Sequence, residues 1–444
     1  MVGPVRRALG ALLLLGLAAC GGSAAGGGGA GRADSSVSFL VFGDPEELAA
    51  YRAVAEAYGK RPGAGRVQLV EASDRSDLIA RIATSTAGGS PPDLFLINYR
   101  FYGQFAAKGA IEPVDERVRT STTLDLDAFY PQALDAFRWK GRLHCVPQNI
   151  SSLVVYYNRD LFRRYGVPEP RPDWTWEQFR STASALTRDA AGNRVVGVEN
   201  EAAPAVATYG VGVEPSLIRL APLVWSNGGE LVDDDVRPTR FTLDTPAAEQ
   251  AVRELFSLRT PNGVAPTDAE VEAEDDEARF ANGRLAMVLS SRRATPTFRT
   301  IDSFDWDVAP LPRFRQSAGI LHSDAYCMSS GSDNQSAAWQ FLEYALGPEG
   351  QRLVAATGRT VPSLRAVAES TAFLDPAQRP RSSQVFLDGI PQIRRVPSVS
   401  TWPEIEDAAG PVLEDGMYKG LPVSEVVAEL DRVTRPLFAR AETP

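Results

Sequence analysis

The groups best placed for chemistry are polar side chains that follow short apolar runs. Asp44 follows the run at residues 38–42, Glu71 closes a second run that starts at Val67, and Asn98, Tyr99 and Arg100 follow a third at residues 93–97. A fourth set, Gln148-Asn149-Ile150-Ser151, stands just before the apolar stretch Leu153-Val154-Val155-Tyr156-Tyr157. Carboxylate, guanidinium, amide and hydroxyl groups give and accept directional hydrogen bonds, which suits capture of a polar solute. Covalent chemistry has less to draw on. His144 and His322 are the two histidines of the chain, and it contains no G-x-S-x-G elbow, no phosphate-binding GxxxxGK[ST] loop and no H-E-x-x-H pair. No His or Cys spacing points to a metal, and Gly210-Val211-Gly212 lacks the third glycine of a dinucleotide-binding turn. Neither cofactor, metal nor catalytic residue is therefore expected. Acids are plentiful, so a carboxylate pair for glycoside cleavage would leave no mark in the spacing.

The elements that must position these groups follow from local signals. Asp44-Pro45-Glu46-Glu47 supplies a helix cap, a proline at the first helical position and acids in the first turn. Leu48, Tyr51, Ala55 and Tyr58 then share one helical face, and Gly59 ends it. A second helix is predicted over 77–84, broken at Gly88-Gly89-Ser90-Pro91-Pro92. Strand, helix, strand, helix, strand at this spacing predicts an α/β fold with a mostly parallel sheet, in which ligands sit beyond the carboxyl ends of the strands. Asp44, Glu71, Tyr99 and Arg100 would then share one crevice. Asp44 alone fits equally well as a plain helix cap, and Arg100 as a solvated surface charge. Further along, Thr175-Trp176-Glu177-Gln178 is a capping box, and helical periodicity returns over 216–225, 246–258, 337–346, 349–357 and 424–438.

A chain of 444 residues, 44% hydrophobic and 23% charged, has room for two large lobes or two to three domains. Its net charge of −10 argues against a nucleic-acid partner. The first twenty residues have a basic start, an apolar stretch at 8–17 and small residues before Cys20, the pattern of an export leader too short to span a bilayer. Residues 21–33 contain seven glycines and no large apolar side chain, which makes a flexible tether. In an oxidising exterior compartment Cys145 and Cys327 could pair, or they could be small buried hydrophobes.

Four segments carry a family resemblance: PPDLFLINYRFYGQFAAKGAIEPVDE, GRLHCVPQNISSLVVYYNRDLFRRYGVPEPRPDWTWEQF, ARFANGRLAMVLSS and AAWQFLEYALGPEGQRLVAATGRTVPS. In this order they resemble the bacterial extracellular solute-binding proteins of the carbohydrate type, the maltose-binding and glycerol-3-phosphate-binding proteins that feed ABC importers. Leu17-Ala18-Ala19-Cys20 resembles a lipoprotein lipobox, which implies a signal peptide at 1–19, a lipidated Cys20 and a tether through residue 36. The resemblance implies a two-lobed periplasmic-binding-protein-like fold, each lobe a mostly parallel sheet flanked by helices, with the cleft between lobes. Crossovers would lie near Pro147, Leu311-Pro312 and Val361-Pro362, so that 37–147 with 312–361 form one lobe and 148–311 with 362–444 the other.

The function this implies is a non-catalytic, monomeric substrate-binding lipoprotein on the extracytoplasmic face of the cell membrane, delivering a sugar or sugar derivative to ABC permease subunits. The alternatives are a secreted carbohydrate-active enzyme and a solute-sensing module for a membrane receptor. Matched by position, Asp44, Glu71 and Arg100 fall where relatives hold sugar hydroxyls, while Tyr99 stands where the maltose binder has an acid. Asn149 and Ser151 fall at the entry to the second lobe and would point the same way in an extended segment; the alternative is that they satisfy turn backbone. Trp225 and Trp402 could offer stacking platforms or be core. Arg292 and His322 are further candidates, and with Arg100 they could serve a phosphate or an acidic sugar.

Overall fold

The computed structural model describes residues 36–195, 205–260 and 262–444. The leader, Cys20 and the glycine tether lie outside the described residues.

The first sheet is built as the local signals require. Strand β1 (Val37–Val41) leads into α1 (Pro45–Gly59), whose N-terminus is capped by the Asp44 side chain accepting from the Glu47 N–H. Strand β2 (Val67–Glu71), helix α2 (Arg75–Ala87), strand β3 (Leu94–Asn98) and helix α3 (Tyr99–Ala107) follow. β1 pairs in parallel with both β2 and β3, and every residue of β3 is buried, as expected of a strand covered on both faces. Strand β4 (Cys145–Pro147) is the far edge of this sheet, reached through a strand that arrives much later in the chain.

The second sheet is centred on β5 (Val154–Asn158), again buried throughout. The chain continues through α4 (Trp176–Leu186), α5 (Leu217–Ser226) and α6 (Pro246–Phe256), then returns as β6 (Met287–Ser290) and β7 (Trp306–Ala309) on either side of β5. Both pairings are antiparallel, with Val155 opposite Leu289 on one side and Ala309 on the other. The parallel sheet expected of each lobe is thus met by β1, β2 and β3, whereas the pairings around β5 are antiparallel. β6 and β7 are consecutive and run the same way, yet β5, far earlier in the chain, sits between them. Local strand-helix-strand spacing carries no sign of such an insertion.

Strand β8 (Asp324–Met328) re-enters the first sheet between β3 and β4, antiparallel to both, giving the order β2-β1-β3-β8-β4. Cys145 and Cys327 lie directly opposite each other in this last pairing and form a disulfide, with Cα atoms 4.4 Å apart. Helices α7 (Gln335–Leu346) and α8 (Pro348–Ala355) pack on α1, and between α1, α7 and the sheet lies an aromatic nest in which the Phe39 and Tyr326 rings are 4.5 Å apart. The chain ends with α9 (Trp402–Tyr418) and α10 (Val423–Ala439), packed against each other and against α6. α9 also touches α3, an approach that glycine permits: a Cβ at Gly103 would lie 2.4 Å from the Ser398 carbonyl oxygen, just ahead of α9.

Candidate ligand-binding cleft

Three stretches of chain run side by side between the two sheets. Gln148 N–H donates to the Asp324 carbonyl (2.8 Å), Ile150 N–H to the Val361 carbonyl (2.9 Å) and Ser363 N–H to the Gln148 carbonyl (3.2 Å). Ser151 and His322 exchange both backbone bonds, at 2.9 and 2.8 Å. Over this floor opens a cleft of about 670 Å³, within the size range of small-molecule sites.

On the first-sheet side the wall comes from the carboxyl ends of the strands: Gly43, Asp44 and Glu47 after β1, Ser73, Asp74 and Arg75 after β2, Asn98 and Arg100 after β3. Opposite are residues 214–219 at the start of α5, residues 291–293 after β6, and Glu406, Asp407 and Glu414 of α9. Asp324, His322, Asn149 and Ser151 complete the floor. Phe42 is the one Phe, Tyr or Trp among the described lining residues, and charged and hydrogen-bonding groups dominate them.

Each expected residue has a definite place. Asp44 caps α1 and pairs with Arg359. Arg100 forms an ion pair with Glu406 at 2.7 Å and donates from Nε to Asn98 Oδ1 at 3.3 Å. Asn149 is locked to Asp324, receiving the Asp324 N–H at Oδ1 (2.6 Å) and donating from Nδ2 to its carboxylate (3.3 Å). Ser151 Oγ donates to the Ser152 carbonyl at 3.2 Å. His322 Nε2 is buried without a partner. Arg292 reaches the wall but its side chain turns inward, donating to the Gly358 carbonyl (2.6 Å) and Ser383 Oγ (3.1 Å) beneath the Phe373 and Phe386 rings. It holds the wall together.

Glu71, Tyr99, Trp225 and Trp402 are not part of the lining. β2 is an edge strand, and Glu71 turns sideways to Arg52 of α1 at 2.6 Å; the chain enters the cleft two residues later, at Ser73. Tyr99 is fully buried, its hydroxyl accepting the Val396 N–H, while the next residue, Arg100, faces the cleft. Trp225 lies in the last turn of α5, whereas the first turn of that helix meets the cleft, and its ring is buried under Arg394. Trp402 is also fully buried and donates from Nε1 to Glu406 Oε1 at 2.9 Å. It steadies a wall carboxylate from behind. Neither indole offers a face to a ligand.

Several wall residues carried no separate signal in the sequence. Arg75 stands four residues beyond Glu71, within reach of the strand-end rule extended by one helical turn, and Arg219 lies in the first turn of α5. Glu47, Arg359 and Asp324 meet through tertiary folding alone. Arg359 Nε lies 2.5 Å from Glu47 Oε2, and Tyr51 donates its hydroxyl proton to Glu47 Oε1 at 2.6 Å. Burial pushes the Glu47 carboxyl up to about 7, against the opposing pull of Arg359 and Tyr51. Burial works against the Arg359 charge, but Glu47 and Asp44 outweigh it and raise its pKa. His322 is held well below the ordinary histidine value, first by burial and then by Arg219, Arg100, Arg75 and Arg293, so its ring is neutral.

The description "Bacterial extracellular solute-binding protein" matches residues 53–380 of the chain. A binding protein of Brucella abortus is 22% identical over 378 residues, 82% of each chain, and the maltotriose-binding protein of Pyrococcus abyssi is 23% identical over 306 residues, 68% of this chain and 60% of that one. An ABC substrate-binding protein of Listeria monocytogenes, solved in complex with cycloalternan, superposes with a TM-score of 0.80 at 23% identity, covering 90% of this chain and 98% of that one. The fold is therefore that of the two-lobed binding proteins, and the chain belongs to the bacterial extracellular solute-binding proteins.

Proposed function

We propose that the chain is the substrate-binding component of an ABC importer, capturing a sugar or sugar derivative between its lobes and delivering it to permease subunits in the membrane. The observation that carries this reading is the polar cleft between two sheets whose connecting segments are hydrogen-bonded to one another, in a chain of this family. The names of the relatives agree: cycloalternan is bound by the Listeria protein and maltotriose names the Pyrococcus one. The moving bodies we propose are residues 37–147 with 312–361 and 148–311 with 362–444, a division supported by the separate membership of the two sheets. Closure would bend the stretches at the cleft floor and bring the α5 wall toward the strand ends of the first sheet. Asp44, Arg100, Asn149, Ser151 and His322 would meet the solute directly, and no covalent step is required.

Calorimetry of the purified chain against a panel of sugars, polyols and their acidic derivatives tests this. Saturable binding with one site per chain is expected; a panel without heat, together with an empty cleft after crystal soaking, would reject it. The lipobox-like stretch and the tether support anchoring at Cys20. Membrane fractionation checks that: the wild-type chain should sediment with membranes and a Cys20→Ser variant should not.

A further inference from the structure

Most charged groups of the cleft are matched within it. Arg100 faces Glu406, Arg359 faces Asp44 and Glu47, and Arg293 faces Glu277 at 2.5 Å. Asp324 is engaged by Asn98 and Asn149, and Asp74 caps α2. Outside these pairs stand the exposed carboxylates of Asp407 and Glu414, and three inner side chains, Arg75, Arg219 and the neutral His322. Among the described residues Arg75 Nε, Arg219 Nε and His322 Nε2 are each buried without a hydrogen-bond partner. Among the described residues Arg75 has no carboxylate at ion-pair distance, and its guanidinium is held between the Phe42 and Phe101 rings, 5.5 and 5.3 Å from their centroids. Among the described residues the side chain of Arg219, 11% exposed, has Glu214 as its one ion partner, at 3.2 Å, and Glu214 is 61% exposed.

Guanidinium groups gather around His322, two of them, Arg100 and Arg293, already paired with carboxylates. The four charges acting most strongly on His322 are Arg219, Arg100, Arg75 and Arg293, all of one sign. The start of α5 adds donors: Ser216 makes no capping bond and its Oγ is itself buried without a partner, so the first N–H groups of a ten-residue helix open beside Arg219 with no side-chain acceptor. Buried donors require acceptors. A sugar hydroxyl brings a donor along with its acceptor and no charge. A phosphoryl or carboxylate group is acceptor-only, matches the guanidinium fork and neutralises the charge.

Building on the sugar-binding reading, we propose that the ligand carries an oxyanion, a phosphoryl or carboxylate group on a sugar or polyol. Arg75 on one wall and Arg219 on the other hold it, with His322 Nε2 as a third donor. An anion shared by the two walls ties lobe closure to its presence, because until the cleft closes over it Arg75 has no ion partner among the described residues and Arg219 has the exposed Glu214 alone.

The test is calorimetry with matched probes: glucose, glucose 6-phosphate and glucuronate as one set, glycerol and glycerol 3-phosphate as another. In at least one set the charged member should bind at least about tenfold more tightly than the neutral one, with affinity falling as salt is raised. Arg75→Gln and Arg219→Gln should each lose about tenfold or more for that charged probe, and little for the neutral one, with unchanged unfolding curves. The salt dependence of the wild-type chain stands as evidence even where a variant folds poorly. Phosphate and carboxylate probes binding unequally identifies which oxyanion is meant. Neutral members binding as tightly as charged ones, without salt dependence, overturns this inference and leaves the sugar-binding reading intact; silence from every probe and from neutral oligosaccharides overturns both.

Discussion

Glu47 shows how the cleft is poised at the level of single residues. Its carboxyl is buried beside Arg359 and Tyr51, and burial raises it from an ordinary 4.5 to about 7. Between those values the folded chain holds a proton that the unfolded chain has released. The stability contributed by this proton is complete below about pH 4.5 and lost as pH rises through about 7, a swing of at most about 3 kcal/mol. Glu47→Gln should flatten that slope, as measured by urea unfolding at pH 5 and pH 8; parallel profiles for the two proteins would contradict the burial account. The residues that sequence made legible share one property. Asp44 and Arg100 follow the ends of β1 and β3, and Asn149 and Ser151 follow β4, positions that order along the chain reveals. Trp225 and Trp402 are ambiguous in sequence, because an indole large enough to carry a sugar ring is equally fit to fill a core, and both fill the core here. The Arg359–Glu47 pair joins positions more than three hundred residues apart, beyond any local rule.

At the level of elements, caps and strand ends were readable wherever the deciding signal lay within a few residues. The Asp44 cap and the Thr175–Gln178 capping box are both formed as the sequence indicates. What could not be read was which strands become neighbours. β5 slips between two strands that follow it by well over a hundred residues, and β8 returns to the first sheet from further still. The contact of α3 with the approach to α9 is of the same kind, and it is unforgiving. An added Cβ at Gly103 would strike the backbone oxygens of Ser398 and Val399 at 2.4 and 2.9 Å, and backbone cannot step aside as a side chain can. Gly103→Ala should cost about 1–3 kcal/mol in urea unfolding. Because α3 carries Arg100 near its start and α9 carries Glu406, the same variant should weaken ligand binding as well. Wild-type stability in this variant would mean that the two elements have more slack than the packing indicates.

For the whole molecule, the Cys145–Cys327 bond joins adjacent strands at the base of the cleft while leaving the stretch between them to build the second sheet. Cys145→Ala with Cys327→Ala should lower stability by about 2–5 kcal/mol in the same urea assay, with the fold retained, since β4 and β8 still pair through their backbones. The sheet of β5, β6 and β7 thus lies wholly within a ring closed by one sulfur–sulfur bond, and the ring begins and ends on neighbouring strands. A protease that cuts the exposed backbone anywhere between residues 148 and 323 opens this ring without freeing a piece. The nicked chain should migrate as one species on a gel without reductant and as two with it, so that a single cut leaves both halves joined.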